Sequence, residues 1–170
     1  MGPHMRELLV NAEAFRSTTG RYATGVAIVT ATVDGVDHAM TTNSFTSLSL
    51  DPLLVLFCVE RDSRFHEAIT AASSFSVSVL PQGAERIAKW FAVRGRPLIE
   101  QFVDVPHARG EQGSPLISDA LCWIECQISQ IIIAGDHDIV IGSVNRLFIA
   151  EEDEAPLIFW KGRFRSLPSS

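Results

Sequence analysis

HAMTTNSFTSLSLDPLLVLFCV, residues 38 to 59, decides how the rest of the chain is read. A polar cluster, Thr41 to Ser44, opens it, and Ser47 and Ser49 then alternate with Phe45, Leu48 and Leu50. Asp51-Pro52 makes a corner, and the apolar run Leu53 to Val59 follows. Alternation at period two marks a half-buried strand, and a short unbroken apolar run marks a buried one. The stretch is therefore expected to form a strand pair with small hydroxyl and amide side chains along one edge. Such groups are neutral donors and acceptors that suit a flat heterocycle or a sugar-like chain. The same residues also read as a strand whose Thr and Ser face water. On the residues alone both readings stay open.

RDSRF, residues 61 to 65, leads into the helical pattern HEAITAASS. Ser63 is a good helix N-cap, flanked by Arg61 and Arg64. Free backbone N–H groups at a helix start, a hydroxyl and two guanidinium groups make a competent phosphate site. A capped surface helix with solvated arginines is the plainer alternative. Joined to the preceding stretch, the pattern is a ring-and-polyol edge followed by an anion clamp. FMN needs that layout.

The 170 residues suffice for one domain with its own core, and 46% hydrophobic with 20% charged residues is an ordinary globular balance. Met1 to Met5, MGPHM, reads as a cloning remnant, with Met5 as the native start and residues 6–170 as a single domain. A net charge of -6 with no lysine- or arginine-rich run argues against a nucleic-acid partner. No apolar run approaches the roughly 18 to 20 residues of a membrane span, and no secretory leader is read. A cytoplasmic protein is expected. Cys58, Cys122 and Cys126 all lie in apolar strand-like contexts. Cys122 and Cys126 fall on one strand face about 13 Å apart, too far to pair. Zinc spacing is lacking, so all three are expected to act as small buried hydrophobes and no metal is expected.

Elsewhere, residues 6 to 19 read as a helix with Leu8, Leu9, Ala12 and Phe15 as its apolar stripe. Residues 24 to 35 read as a β-branched strand ending in an Asp34-Gly35 hairpin turn. A helix from about Phe65 to Ala72 precedes the alternating strand 75 to 80, and Gly83 to Ala92 is a second amphipathic helix. Val93 to Ser118 is rich in glycine, proline and mixed charge, which predicts a long irregular excursion, either a lid or a mobile insertion. Two long strands, 121 to 134 and 137 to 150, meet at Gly135-Asp136, and a short strand with a basic turn closes the chain over 156 to 167. Many turn-separated strands with few helices predict a closed or partly closed antiparallel barrel, mainly β. GxGxxG, GxxxxGKS, HExxH and GxSxG are all absent, which removes the main support for Rossmann, P-loop, zinc-hydrolase and α/β-hydrolase readings.

TGVAIVTA (24 to 31), TTNSFTSLSLDPLLVLFCV (41 to 59), FSVSVL (75 to 80), WFA (90 to 92), GDHDIVIGSV (135 to 144) and PLIFWKGRF (156 to 164) occur in that order. Together they resemble the short-chain flavin reductases, which supply reduced flavin to two-component monooxygenases. The resemblance implies an FMN-binding split β-barrel, a homodimer with flavin near the interface, and NADH- or NADPH-dependent reduction of FMN or FAD. It implies a partner oxygenase as well. Carried over residue by residue, it places flavin ring and ribityl contacts at Thr42, Asn43, Ser44 and Ser47. It continues through Cys58, Val59 and Arg61 to Ser63 and Arg64 near the phosphate, with Phe91 bordering the flavin and Phe164 at the pocket rim. Two other uses of the same fold stay open. One is a fixed FMN serving substrate oxidation or oxygenation, and the other is a non-catalytic flavin- or haem-binding module.

His137 of the GDH motif is implied to lie beside the nicotinamide as the catalytic-site residue. Its residues alone read more plainly as a turn histidine satisfied by Asp136 or Asp138. Three positions depart from the family pattern. Ala23 stands where a proline is common, Phe65 where a small residue is common, and RGRPLIEQF replaces a lysine-containing loop.

Overall fold

The computed structural model describes residues 6–152 and 154–167. The remnant expected at residues 1–5 lies outside them. Helix α1, Ala12–Thr19, is capped by the Asn11 side chain. It is shorter than the expected span and buries none of its residues. Leu8, Leu9 and Phe15, expected to face a core, are instead exposed.

The strand expected over residues 24 to 35 divides into β1 (Thr24–Gly25) and β2 (Ala27–Val33). Asp34 and Gly35 both take positive φ, 50° and 77°, the geometry of a two-residue hairpin turn into β3 (Val36–Thr42). The pair predicted from residues 38 to 59 is β4 (Thr46–Leu50) and β5 (Leu53–Glu60), joined at Asp51-Pro52. β5 fits the expectation on one face, where Val55, Phe57 and Val59 are buried, while Leu54, Leu56 and Cys58 on the other face are half-exposed. β4 does not: it is an edge strand broken by an irregularity between Ser47 and Ser49, and Leu50 is 86% exposed. After α2 (Arg64–Ala71) come β6 (Ser74–Val79) and α3 (Glu85–Ala92). A small hairpin, β7 (His107–Arg109) and β8 (Pro115–Ile117), precedes the long pair β9 (Cys122–Ala134) and β10 (His137–Ile149). β11 (Ile158–Trp160) and β12 (Arg163–Arg165) finish the chain.

Seven antiparallel strands form the main sheet in the order β3-β2-β6-β9-β10-β5-β4. Helix α2 packs on β3 at one edge and on β5 next to the other. The sheet must curl for one helix to touch both, and the result is a split β-barrel. β2 is buried on both faces. Ala27, Val29 and Ala31 enter the interior core with Phe57, Phe65 and Phe75, while Val26 and Ile28 join an outer core with Leu80, Phe91 and Leu157. Each fully buried phenylalanine contributes about 1.5 to 3 kcal/mol. Gly142 admits the Phe75 ring, since a Cβ there would stand 2.5 Å from its Cζ.

The Val93 to Ser118 stretch is not a mere excursion. Phe102, Val105 and Ile117 belong to the outer core. Thr30 Oγ1 donates to the Pro115 carbonyl at 2.6 Å, and Arg109 grips Asp37 at 2.6 and 2.8 Å. Cys126 is buried, and burial with the nearby Glu125 carboxylate pushes its thiol up to about 12. Cys58 and Cys122 are only half-buried. No helix among the described residues is long and apolar enough to cross a membrane.

Candidate active site

A cavity of about 490 Å³ opens where β3, the start of α2 and the end of α3 converge. Residues 94 to 101 close it. That volume falls within the range typical of small-molecule sites. Its floor is made by the outer core, because Phe91 is 1% exposed and faces it from the last turn of α3.

Ser63 caps α2 as its sequence predicted. The residue is extended (φ -128°, ψ 146°), its Oγ accepts from the His66 N–H at 3.2 Å, and its hydroxyl donates to the Glu60 carbonyl at 2.6 Å. The first-turn N–H groups of α2 that the cap leaves free are available to an anion. Arg64, the next residue, donates to the Arg96 carbonyl.

Arg96 is the structural centre of the wall. Its guanidinium donates to the carbonyls of Ala39, Phe91 (3.1 Å) and Val93 (2.9 Å) and to Gln101 Oε1 (3.1 Å). It also lies 5.3 Å from the centre of the Phe91 ring. All four partners are neutral. Burial, helped by Arg64, lowers its pKa to about 10, so it stays cationic at neutral pH. Gln101 is 4% exposed and donates in turn to the carbonyls of Asp37 (2.6 Å) and Leu98 (3.1 Å). Neither Arg64 nor Arg96 forms an ion pair among the described residues, whereas Arg94 pairs with Glu60. Burial also pushes the His38 imidazole below its ordinary value; Asp37 opposes the fall, and Arg64 and Arg96 reinforce it. A cavity with two guanidiniums lacking a carboxylate partner is built to receive an anion.

A family model described as a flavin reductase like domain matches residues 19–168. The chain belongs to that family. It is 42% identical over 153 residues to an NADH-dependent FAD reductase of Streptomyces globisporus, covering 88% of this chain and 82% of that protein. A probable flavin reductase of Rhizobium meliloti is also 42% identical, over 77% of this chain but only 42% of its own length. BorF, the flavin reductase component of a bacterial two-component tryptophan halogenase, superposes with a TM-score of 0.87 at 40% identity, covering 94% of this chain and all (100%) of that one.

In this flavin-reductase chain the residues expected at the site fall into three groups. Ser63, Arg64 and Phe91 line the cavity. The hydroxyl edge lies apart from the cavity lining, and half of it is used internally. Thr42 is 6% exposed with its Oγ1 2.9 Å from Ser44 Oγ, which also accepts from the Cys58 N–H at 2.9 Å. Asn43 and Ser47 are exposed and keep their side chains free for a ligand. Val59 is 0% exposed within the interior core, leaving only its backbone to a ligand, and Cys58 beside it is half-buried. The third group stands off. Arg61 turns to Asp138, and Phe164 packs on Phe159 with Lys89 5.9 Å over its ring.

His137 lies opposite Glu60 in the strand register, and Glu60 lines the cavity. The imidazole Nδ1 is 2.8 Å from Asp136 Oδ1. That bond, with the His137 charge, holds the Asp136 carboxyl below its usual value. Arg96, Gln101 and His38 were not singled out from the sequence. Arg96 sat in a loop noted only for lacking a lysine, and its partner Ala39 is 57 positions away.

Proposed function

We propose that the cavity holds the phosphate-bearing part of a flavin, FMN or FAD, and that the chain is an NAD(P)H:flavin oxidoreductase. The observation that carries the placement is the pair of guanidiniums, Arg64 and Arg96, that no carboxylate among the described residues neutralises beside the capped start of α2. Ser63, the α2 N–H groups and Arg64 hold the phosphate. Arg96 keeps the wall in place, and Asn43 and Ser47 contact the ring and ribityl from the strand edge. His137 presents its remaining ring nitrogen to the nicotinamide. When bound, the flavin accepts the hydride that NADH or NADPH supplies. The protein contributes proximity and orientation, and no side-chain nucleophile is required.

The reduced product serves a partner oxygenase, a reading supported by relatives that are reductase components of two-component systems, among them BorF. Residues 6–170 act as a single cytoplasmic domain, in keeping with three free cysteines. The sheet's outer face supports reading the protein as a homodimer. Leu54, Leu56, Ile139 and Ile141 share that face, all half-exposed, with Ile132, 38% exposed, beside them. A second copy covering this row would remove it from water.

The test is NADH and NADPH oxidation by desalted protein with no flavin, then with riboflavin, FMN and FAD. Oxidation only on flavin addition is expected. A yellow protein that survives desalting and ignores both nicotinamides would replace this reading with a fixed-flavin one.

A further inference from the structure

Asp138 is a buried carboxylate that the roles above do not use. It is 5% exposed on β10, opposite the core residue Val59. Its Oδ2 stands 2.8 Å from His66 Nε2, and since a carboxylate only accepts, the imidazole donates. Its Oδ1 is 3.4 Å from Arg61 Nε yet makes no hydrogen bond. A buried carboxylate with one unbonded oxygen is a poor way to gain stability, because a well-packed apolar group of similar size does as well or better. What it does provide is direction.

His66 is held at both ends. Its backbone N–H closes the Ser63 cap, and its ring is tied to β10 through Asp138. The Arg61 N–H donates to the Asp136 carbonyl at 3.0 Å, a second tie between the same two segments. The start of β10 also carries His137. One carboxylate therefore docks the first turn of α2, with Ser63 and Arg64, onto the strand that presents His137.

We propose that Asp138 is a positioning residue for the flavin phosphate, acting through His66. The proposal rests on the reading of Ser63 and Arg64 as the phosphate site. Its test compares FMN with riboflavin, which lacks the phosphate, by fluorescence titration of Asp138→Asn, His66→Gln and Arg64→Ala. Asp138→Asn keeps the shape and removes the charge, and His66→Gln keeps a donor. Asp138→Asn should weaken FMN by up to about tenfold, the worth of about one hydrogen bond to the phosphate, and leave riboflavin within about twofold. His66→Gln should do the same to a lesser degree, and the double variant should lose less than the two singles combined.

A merely structural carboxylate would lower the melting temperature and change FMN and riboflavin affinity alike, or change neither. Either result overturns the proposal. Arg64→Ala separates the two levels. If it leaves the FMN-to-riboflavin ratio unaltered, the phosphate does not sit at Arg64, and the positioning role falls with that reading. If Arg64→Ala shifts the ratio and Asp138→Asn does not, only the role of Asp138 is lost.

Discussion

The guanidinium wall lines the cavity and the hydroxyl edge lies apart from it, and the two are built on opposite principles. On the wall, Arg64 and Arg96 end among carbonyls and keep their charge unneutralised. On the edge, Thr42 and Ser44 spend their hydroxyls on each other and on the Cys58 N–H. Short polar side chains lie within reach of their own backbone and are readily absorbed by it. A long cation that donates only to neutral acceptors still has charge to offer. On the proposed function, recognition of an anion belongs to the wall, while the edge joins β3 to β5 through Thr42, Ser44 and the Cys58 N–H.

Arg96→Ala should have the largest effect. It strips donors from the Ala39, Phe91 and Val93 carbonyls and from Gln101, and it frees the loop from β3 and α3. Stability should fall by about 2 to 4 kcal/mol in urea unfolding, with flavin binding lost as well. Arg96→Lys should recover little, because one ammonium cannot span a planar fork of acceptors. If Arg96→Ala unfolds like the parent, the wall is not organised by this residue.

Arg64→Ala comes next. Its side chain is exposed and its one described partner is a carbonyl, so stability should change by less than about 0.5 kcal/mol. FMN affinity should fall by about 10- to 100-fold, the value of charge-assisted bonds to a phosphate. Unchanged FMN affinity would return the anion site to the edge.

These two arginines also mark what could be read from the chain. The Ser63 cap, the Asp34-Gly35 turn and the existence of β5 all depend on neighbours close in sequence, and each was legible; that β5 buries only one face was not. β4 misled because alternation shows a strand's faces but not whether anything packs on them, and Leu50 faces water at a sheet edge. Helix α1 misled for the same reason. Residues 93 to 118 looked irregular because glycine and proline dominate locally, while the contacts that order them run to Thr30, Asp37 and Ala39. Long-range pairing leaves no period in the sequence.

On the edge, Ser44→Ala and Asn43→Ala should separate. The Ser44 hydroxyl already bonds Thr42 and the Cys58 N–H, so its loss should cost about 1 kcal/mol of stability with flavin affinity nearly intact. Asn43 is exposed, and its loss should leave stability alone while weakening flavin by about 2- to 10-fold. The reverse result would make Ser44 the ligand contact and erase the contrast between edge and wall.

His137→Ala tests a residue outside the cavity lining, opposite Glu60 in the strand register, and should give a small effect. The His137 Nδ1 is engaged by Asp136, so the ring is oriented before any ligand arrives and its Nε2 is left for one contact. Losing one hydrogen bond at a half-exposed site should raise the KM for NADH by about 2- to 10-fold. FMN affinity should stay unchanged, since His137 neighbours Glu60 and not the arginines. His137→Asn, which retains a donor, should lie between the two in KM. A fall in FMN affinity as large as that of Arg64→Ala would place His137 on the wall, and the nicotinamide would then need another neighbour.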